Sequence, residues 1–443
     1  MTTLVWFRDD LRLADHPALT AACEDPEGIV ALYVLDEVSP GVRPLGGAAR
    51  WWLHHSLAAL RDALASRGVP LVLRRGAAAE VVPGVAAESG ASAVTWNRRY
   101  GAEREIDAGL KESLRAAGVD ARSFPGGLLH EPWTVTTRAG GAYRVYSAFW
   151  RACQERPAPA EPLPEPARWS PAPRQPDGEE LTEWGLLPSA PDWAAGLRER
   201  WEPGEASADE RLADFLRLDA DEYASRRDVP ASGATSSLSP HLRWGEISPR
   251  TVWHRALRSG ADVGVFLGEL GWREFAWHTL FHHPDLHRRG LDPRFDAFAW
   301  ERPDPAEVGA WQRGETGFPL VDAGMRELWR TGSMHNRVRM VTASFLVKNL
   351  LVDWRVGESW FWDTLVDADA ASNPFNWQWV AGCGADAAPY FRIFNPLTQA
   401  KKFDPDGAYA RRWAPDSEAR PEIVDLRATR ERALAAYAAL SAR

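Results

Sequence analysis

Cysteine is scarce: three residues in 443, at Cys23, Cys153 and Cys383, are too few and too dispersed for a disulfide framework or a zinc site. A reducing cytoplasm fits that usage. No apolar run reaches membrane-spanning length, and Arg8, Asp9 and Asp10 arrive before the apolar region of a signal peptide could form. An excess of positive charge is missing too, since the net charge is −9. That excludes a surface coated in basic residues but not a nucleic-acid partner, because such binding depends on a local positive patch. The first turn, Arg8-Asp9-Asp10-Leu11-Arg12, carries no glycine-rich fingerprint, which argues against ordinary dinucleotide binding there. No internal repeat is visible.

What is abundant is tryptophan, with 23 residues. Most belong in core or interface positions with a satisfied N–H. At 443 residues, with 45% hydrophobic and 26% charged side chains, the chain is globular and too long for one ordinary core. Segments 3–7, 29–35, 70–74, 92–96 and 119–124 read as short apolar strands, with helical stretches between them at 49–67 and 102–117. Alternation of this kind builds a parallel sheet with right-handed crossovers. Residues 126–200, rich in proline, read as an extended linker rather than a helix. From Trp201 onward, 3.6-type spacing predicts helices at 207–218, 248–259, 262–281, 320–332, 334–352 and 427–441. The expected organisation is an α/β domain over 1–125, a connector over 126–200 and an all-helical domain over 201–443.

The helical part is organised around Asp367 to Pro396. This stretch interleaves Asp367, Asp369, three asparagines, Trp377, Trp379 and Arg392 among small residues, where a plain core helix would separate an apolar stripe from its charges. A lined cavity or a Trp-rich core with satisfied polar groups would both produce it. Asn373-Pro374 and Asn395-Pro396 should each break or start a helix. Upstream, Thr235-Ser236-Ser237-Leu238-Ser239-Pro240 clusters hydroxyls at a helix start, which suits phosphate oxygens or an ordinary capped turn equally. In the run Phe266 to Glu274, Glu269, Trp272 and Arg273 share one helical face, as do Asn336 and Met340 in the run Met334 to Met340.

Together these motifs resemble the DNA photolyase/cryptochrome family over nearly the whole chain, most closely a bacterial cyclobutane pyrimidine dimer photolyase. The opening LVWFRDDLRLADHPAL is similar to the family's N-terminal antenna domain. The resemblance implies an α/β domain, an all-α FAD domain, and light-driven repair of UV-damaged DNA by a monomeric enzyme. It places Thr235, Ser236, Ser237, Leu238 and Ser239 around the flavin pyrophosphate, with Tyr223 beside them. Asp367, Ala368 and Asp369 fall on the ribityl and adenosine side, Arg339 against flavin and Asp367, and Asn373 near flavin N5. Trp272 and Trp379 become the walls of a lesion pocket, with Glu269 bonding the base edges and Asn336 and Met340 completing it. Stacking plus edge hydrogen bonds is how a flipped base is read, and photolyases are themselves a worked instance of base flipping. Arg227, Arg273 and Arg337 are assigned to DNA. Trp377, Trp354 and Trp311 match a chain carrying electrons from the surface to the flavin. Asparagine and methionine at 336 and 340, where (6-4) photolyases carry histidines, favour cyclobutane dimers. The alternatives within the resemblance are a cryptochrome-like photoreceptor or a (6-4) photolyase.

Three departures stand out. Ser333 replaces the tryptophan of the common Gly-Trp-Met-His-Asn-Arg run, which should leave space near the flavin. After Arg412-Trp413 the chain omits a few tens of residues that relatives carry, which exposes helical surface or marks a compaction. Around Asn97 to Glu103 only Glu103 fits one folate pattern, with Ala102 in place of asparagine and His287 in place of lysine. The second chromophore could therefore be a deazaflavin, a methenyltetrahydrofolate in another pose, or absent.

Overall fold

A computed structural model describes residues 2–387 and 391–441. Ala388, Pro389 and Tyr390, inside the tryptophan-rich stretch, lie outside the described residues. The first 125 residues form a five-stranded parallel sheet, β1 (Thr3–Phe7), β2 (Ile29–Leu35), β3 (Leu71–Arg75), β4 (Ala93–Asn97) and β5 (Asp120–Phe124), in the order β3-β2-β1-β4-β5. Side chains alternate between faces. Leu4 and Trp6 join one buried cluster with Val94 and Trp96, while Val5 and Phe7 join another with Trp51 and Trp52 of the Gly47–Ala65 helix. The chain order reverses between β1 and β4, and in such sheets a crevice opens beyond the strand ends at that point.

The connector is less extended than its prolines suggest. It runs beside β2 and β3, where Ile29 and Leu73 carbonyls accept from Ala172 and Glu179 N–H groups. It also holds two helices, Tyr146–Gln154 and Ala195–Arg200, which the sequence reading did not expect. The first packs Phe149 and Cys153 into a cluster with Phe275, Ala276 and Leu280 of the Gly264–His282 helix. Burial of that short apolar face, rather than intrinsic propensity, supports the helix.

The remaining chain is helical. Both Asn-Pro pairs start helices: Pro374 lies in the first turn of Ser372–Ala381, and Asn395 caps Pro396–Phe403 by accepting from the Thr398 N–H. The long run expected at 334–352 is a helix only over Asn336–Ser344, followed by a π-helical turn at Phe345–Asn349. In that turn Lys348 is buried, and its ammonium donates to Ala381 O at 2.6 Å, at the C-terminal end of the Ser372–Ala381 helix. That bond satisfies a terminal carbonyl of the helix, while burial holds the Lys348 pKa well below the ordinary lysine value.

The segment after Trp413 packs back onto the helical domain. Ser417 is fully buried and its hydroxyl donates to Asp322, whose carboxylate also accepts from the Thr316 and Gly317 N–H groups. The domains are tied together by Arg12, which donates to the Gly126 and Gly245 carbonyls, and by the buried Arg250–Asp15 pair at 2.7 Å.

Candidate active site

The helices Gly264–His282, Asn336–Ser344, Trp354–Thr364 and Ser372–Ala381 enclose a cavity of about 440 Å³, closed at one end by the 236–239 loop. Asn373 is buried on its wall. Its amide NH2 donates to Glu358 twice, to the main-chain oxygen at 3.0 Å and to Oε1 at 2.8 Å. Glu358 is in turn gripped by both Arg43 guanidinium nitrogens, at 2.7 and 2.9 Å. This chain fixes the orientation of the amide and leaves Oδ1 as its atom without a protein partner among the described residues. The exposed function is thus an acceptor, which suits a protonated ring nitrogen. Sequence reasoning found Asn373 but missed Glu358 and Arg43, because the pairing depends on how two helices and a loop of the other domain meet.

At the loop end, Arg339 holds Asp367 through two nitrogens at 2.9 and 3.1 Å, and the Ser239 hydroxyl donates to the same carboxylate at 2.7 Å. Asp369 spends one oxygen on the Ala371 and Ser372 N–H groups at the start of the next helix. Ser236, Leu238 and Ser239 line the cavity together with Tyr223 and Ala368. Thr235 and Ser237 do not: they face a separate polar cleft of about 450 Å³, and Arg200 donates to the Ser237 hydroxyl at 3.0 Å. Ser236 borders both spaces, and Ser237 has a left-handed φ of 51°, which turns the chain between them. Ser333 is half-buried and lines neither of these two cavities.

Trp272, Trp379, Glu269, Asn336 and Met340 all reach the same cavity. Two of the three arginines expected at DNA stand at its edge, each engaged by a carboxylate: Arg227 by Glu269, and Arg337 by Asp228 at 2.8 Å. These pairs are part-exposed, so they exchange partners at little cost. Arg273 lines the same cavity. It turns inward and donates to the Gly127 carbonyl at 3.0 Å, because the connector passes beneath its helix.

Trp377 is buried on the cavity wall and packs across the Trp354–Thr364 helix. A side chain at Gly357 would meet its ring at 2.1 Å, so glycine one turn beyond Trp354 is what admits the indole. Trp311 lies edge-on to Trp377 at 6.3 Å, with its N–H donating to Thr342 O. Its exposure is 0%, so it is not the surface end of a tryptophan chain. Trp300, which is partly exposed, packs on the same core.

A smaller cavity, of about 160 Å³, opens beyond β1 and β4 where the strand order reverses. Arg8 and Arg99 share Asp107 there and both lie over the Trp6 ring, at 4.5 and 5.1 Å. Arg8 is buried, yet its Nε and Nη2 have no protein partner among the described residues. Glu103 lines this cavity, whereas Ala102 and His287 do not.

The family model described as DNA photolyase matches residues 3–167, and that described as FAD binding domain of DNA photolyase matches 266–430. A deoxyribodipyrimidine photo-lyase of Agrobacterium fabrum is 49% identical over 99% of this chain and 98% of its own length. Cryptochrome-1 of Arabidopsis thaliana is 37% identical over 94% of this chain but only 63% of its own length. Among solved structures, a bacterial class III photolyase from Agrobacterium tumefaciens superposes with a TM-score of 0.95, at 47% identity, covering 100% of this chain and 98% of that one.

Proposed function

Because the chain belongs to the DNA photolyase family, we infer that it is a light-driven lyase that splits cyclobutane pyrimidine dimers in DNA, with FAD as its cofactor. The observation that carries this reading is one cavity gathering the free Asn373 oxygen, the Trp377 indole and two further indoles, Trp272 and Trp379. When bound and reduced, flavin supplies an excited-state electron that the dimer returns after its two cyclobutane bonds break, so no atom is gained or lost. The chain's own residues bind and orient. Arg339, Asp367 and Ser239 hold the cofactor on its ribityl side, and Asn373 accepts from the flavin N–H. Tyr223 and the hydroxyls facing the cavity complete its cradle.

Trp272 and Trp379 offer stacking faces to a flipped dimer, and Glu269 accepts from its base edges once it has left Arg227. Arg227 and Arg337 then pass from carboxylate to phosphate. Asn336 and Met340 provide no histidine for proton transfer, which favours cyclobutane dimers over (6-4) lesions. Trp377 is the proximal electron donor and Trp354 the next. We place a second chromophore, a deazaflavin or a folate, in the smaller cavity, where the free Arg8 donors can meet an oxygen-rich group. The three free cysteines fit a cytoplasmic enzyme, and we propose a monomer. Among the described residues no helix is long and apolar enough to cross a membrane.

Denaturing the purified protein should release FAD in near-equal amount to chain. Release of FMN, or of no flavin from well-folded protein, would contradict the cofactor assignment.

A further inference from the structure

We infer that Tyr146, from the connector, is a positioning residue for lesion binding: it holds Trp272 flat so that the cavity-facing side of the indole is ready to receive a flipped pyrimidine. The inference rests on the reading of Trp272 given above. The two rings stack with centroids 3.7 Å apart and planes within 10°. Trp272 lines the main cavity and Tyr146 does not, so the phenol covers the opposite face of the indole. Tyr146 is itself immobilised, since its hydroxyl donates to Gly268 O at 2.7 Å. Burial, reinforced by the charge of Glu269, holds the phenol pKa well above its ordinary value, so the O–H remains a donor at any working pH. Behind it, Trp150 lies parallel at 6.5 Å.

The Gly264–His282 helix is shaped for this contact. A Cβ at Gly271 would fall 2.7 Å from the Trp150 ring and 2.8 Å from the Tyr146 hydroxyl oxygen. One at Gly268 would sit 3.6 Å from the same oxygen. Glycine at 271 is therefore what lets the connector helix press its rings against the back of Trp272. An unsupported indole at a cavity wall samples several rotamers and must be ordered when substrate stacks on it. One already clamped loses less freedom, so more of the stacking energy appears as affinity.

The test compares binding of dimer-containing and undamaged duplexes by FAD-loaded wild-type, Tyr146→Ala, Tyr146→Phe, Trp272→Ala and the double alanine variant, with flavin content reporting the fold. Tyr146→Ala should weaken dimer-DNA binding about three- to ten-fold, the factor expected for one aromatic pair, and leave undamaged DNA unchanged. Tyr146→Phe, which keeps the stack, should recover most of that loss. In the Trp272→Ala background, Tyr146→Ala should add nothing further. If Trp272→Ala weakens dimer binding but Tyr146→Ala does not, or if the two losses simply add, the positioning role is wrong while the pocket stands. Equal weakening of both duplexes by Tyr146→Ala would also overturn it. If Trp272→Ala leaves dimer binding intact, the reading of the pocket itself has failed.

Discussion

The two cavities are built from the same side chains, arginine, carboxylate and tryptophan, but employ them differently. In the larger one, charged and amide groups are fixed from behind and leave one function toward the space: Arg43 holds Glu358, Glu358 holds Asn373, and the Asn373 oxygen stays free. In the smaller one, charges mostly satisfy each other, as where Arg8 and Arg99 share Asp107, and the residual donors on Arg8 are what a ligand could still claim. Preorganisation of that first kind is what an electron-transfer site requires, because its geometry has to precede the brief excited state. The proposed second-chromophore cavity would need only position and orientation, and would tolerate variation in what fills it.

The largest effect expected is on the electron supply. Trp377→Phe should all but abolish photoreduction of oxidised flavin, followed by the loss of oxidised-flavin absorbance under blue light, while chemically reduced mutant still repairs. Photoreduction at the wild-type rate would mean that another donor reaches the cofactor, and Trp311, in edge contact with Trp377, would be the first to substitute.

Next in size is a pH effect at Glu274, which is buried beneath the connector at Leu129 and His130. Burial pushes its carboxyl up to about 7, opposed by Arg273 and by the Leu129 and His130 N–H groups that bond one oxygen. A carboxyl whose folded pKa lies above its unfolded value binds more protons in the native state. Stability should therefore fall as pH rises from about 4.5 to about 7, by on the order of 3 kcal/mol in all. Glu274→Gln should flatten that decline in urea titrations at stepped pH, and an unchanged slope would show that the group ionises freely in the fold.

Smaller again are the rim contacts. Arg227→Ala and Arg337→Ala should weaken binding similarly across DNA sequences, and each should lower the slope of log K against log salt by roughly one. An unaltered slope would remove that residue from the interface. Least is expected at the second cavity. Arg8→Leu should reduce the amount of any second chromophore recovered and narrow the action spectrum, with repair under direct flavin excitation unchanged. Loss of that direct repair would make the two cavities energetically one.

The sheet was legible because parallel strands buried on both faces are continuous apolar runs. The strand ends therefore came out to within one residue, as at Ile29–Leu35. The pocket was legible as far as its residues sit close in sequence, from Asp367 to Trp379 and from Asn336 to Met340. What lay beyond sequence was whatever depends on packing between distant segments. The direction of Arg273 follows from the connector beneath it, and the withdrawal of Thr235 and Ser237 from the main cavity goes with one left-handed residue. The complete burial of Trp311 is set by helices packed around it. The Tyr146–Gln154 helix is nine residues long and close to proline-rich sequence, so its periodicity was too brief to outweigh composition.

The most direct test is repair itself. Pre-reduced wild-type protein is given one oligonucleotide with a thymine cyclobutane dimer and another with a (6-4) lesion, under blue light and in the dark, and restored thymine is measured. Restoration of the cyclobutane dimer only, and only in light, is the expected result. Repair of the (6-4) lesion would contradict the substrate assignment drawn from Asn336 and Met340. Neither repair, with reduced FAD bound, would make the protein a photoreceptor rather than an enzyme.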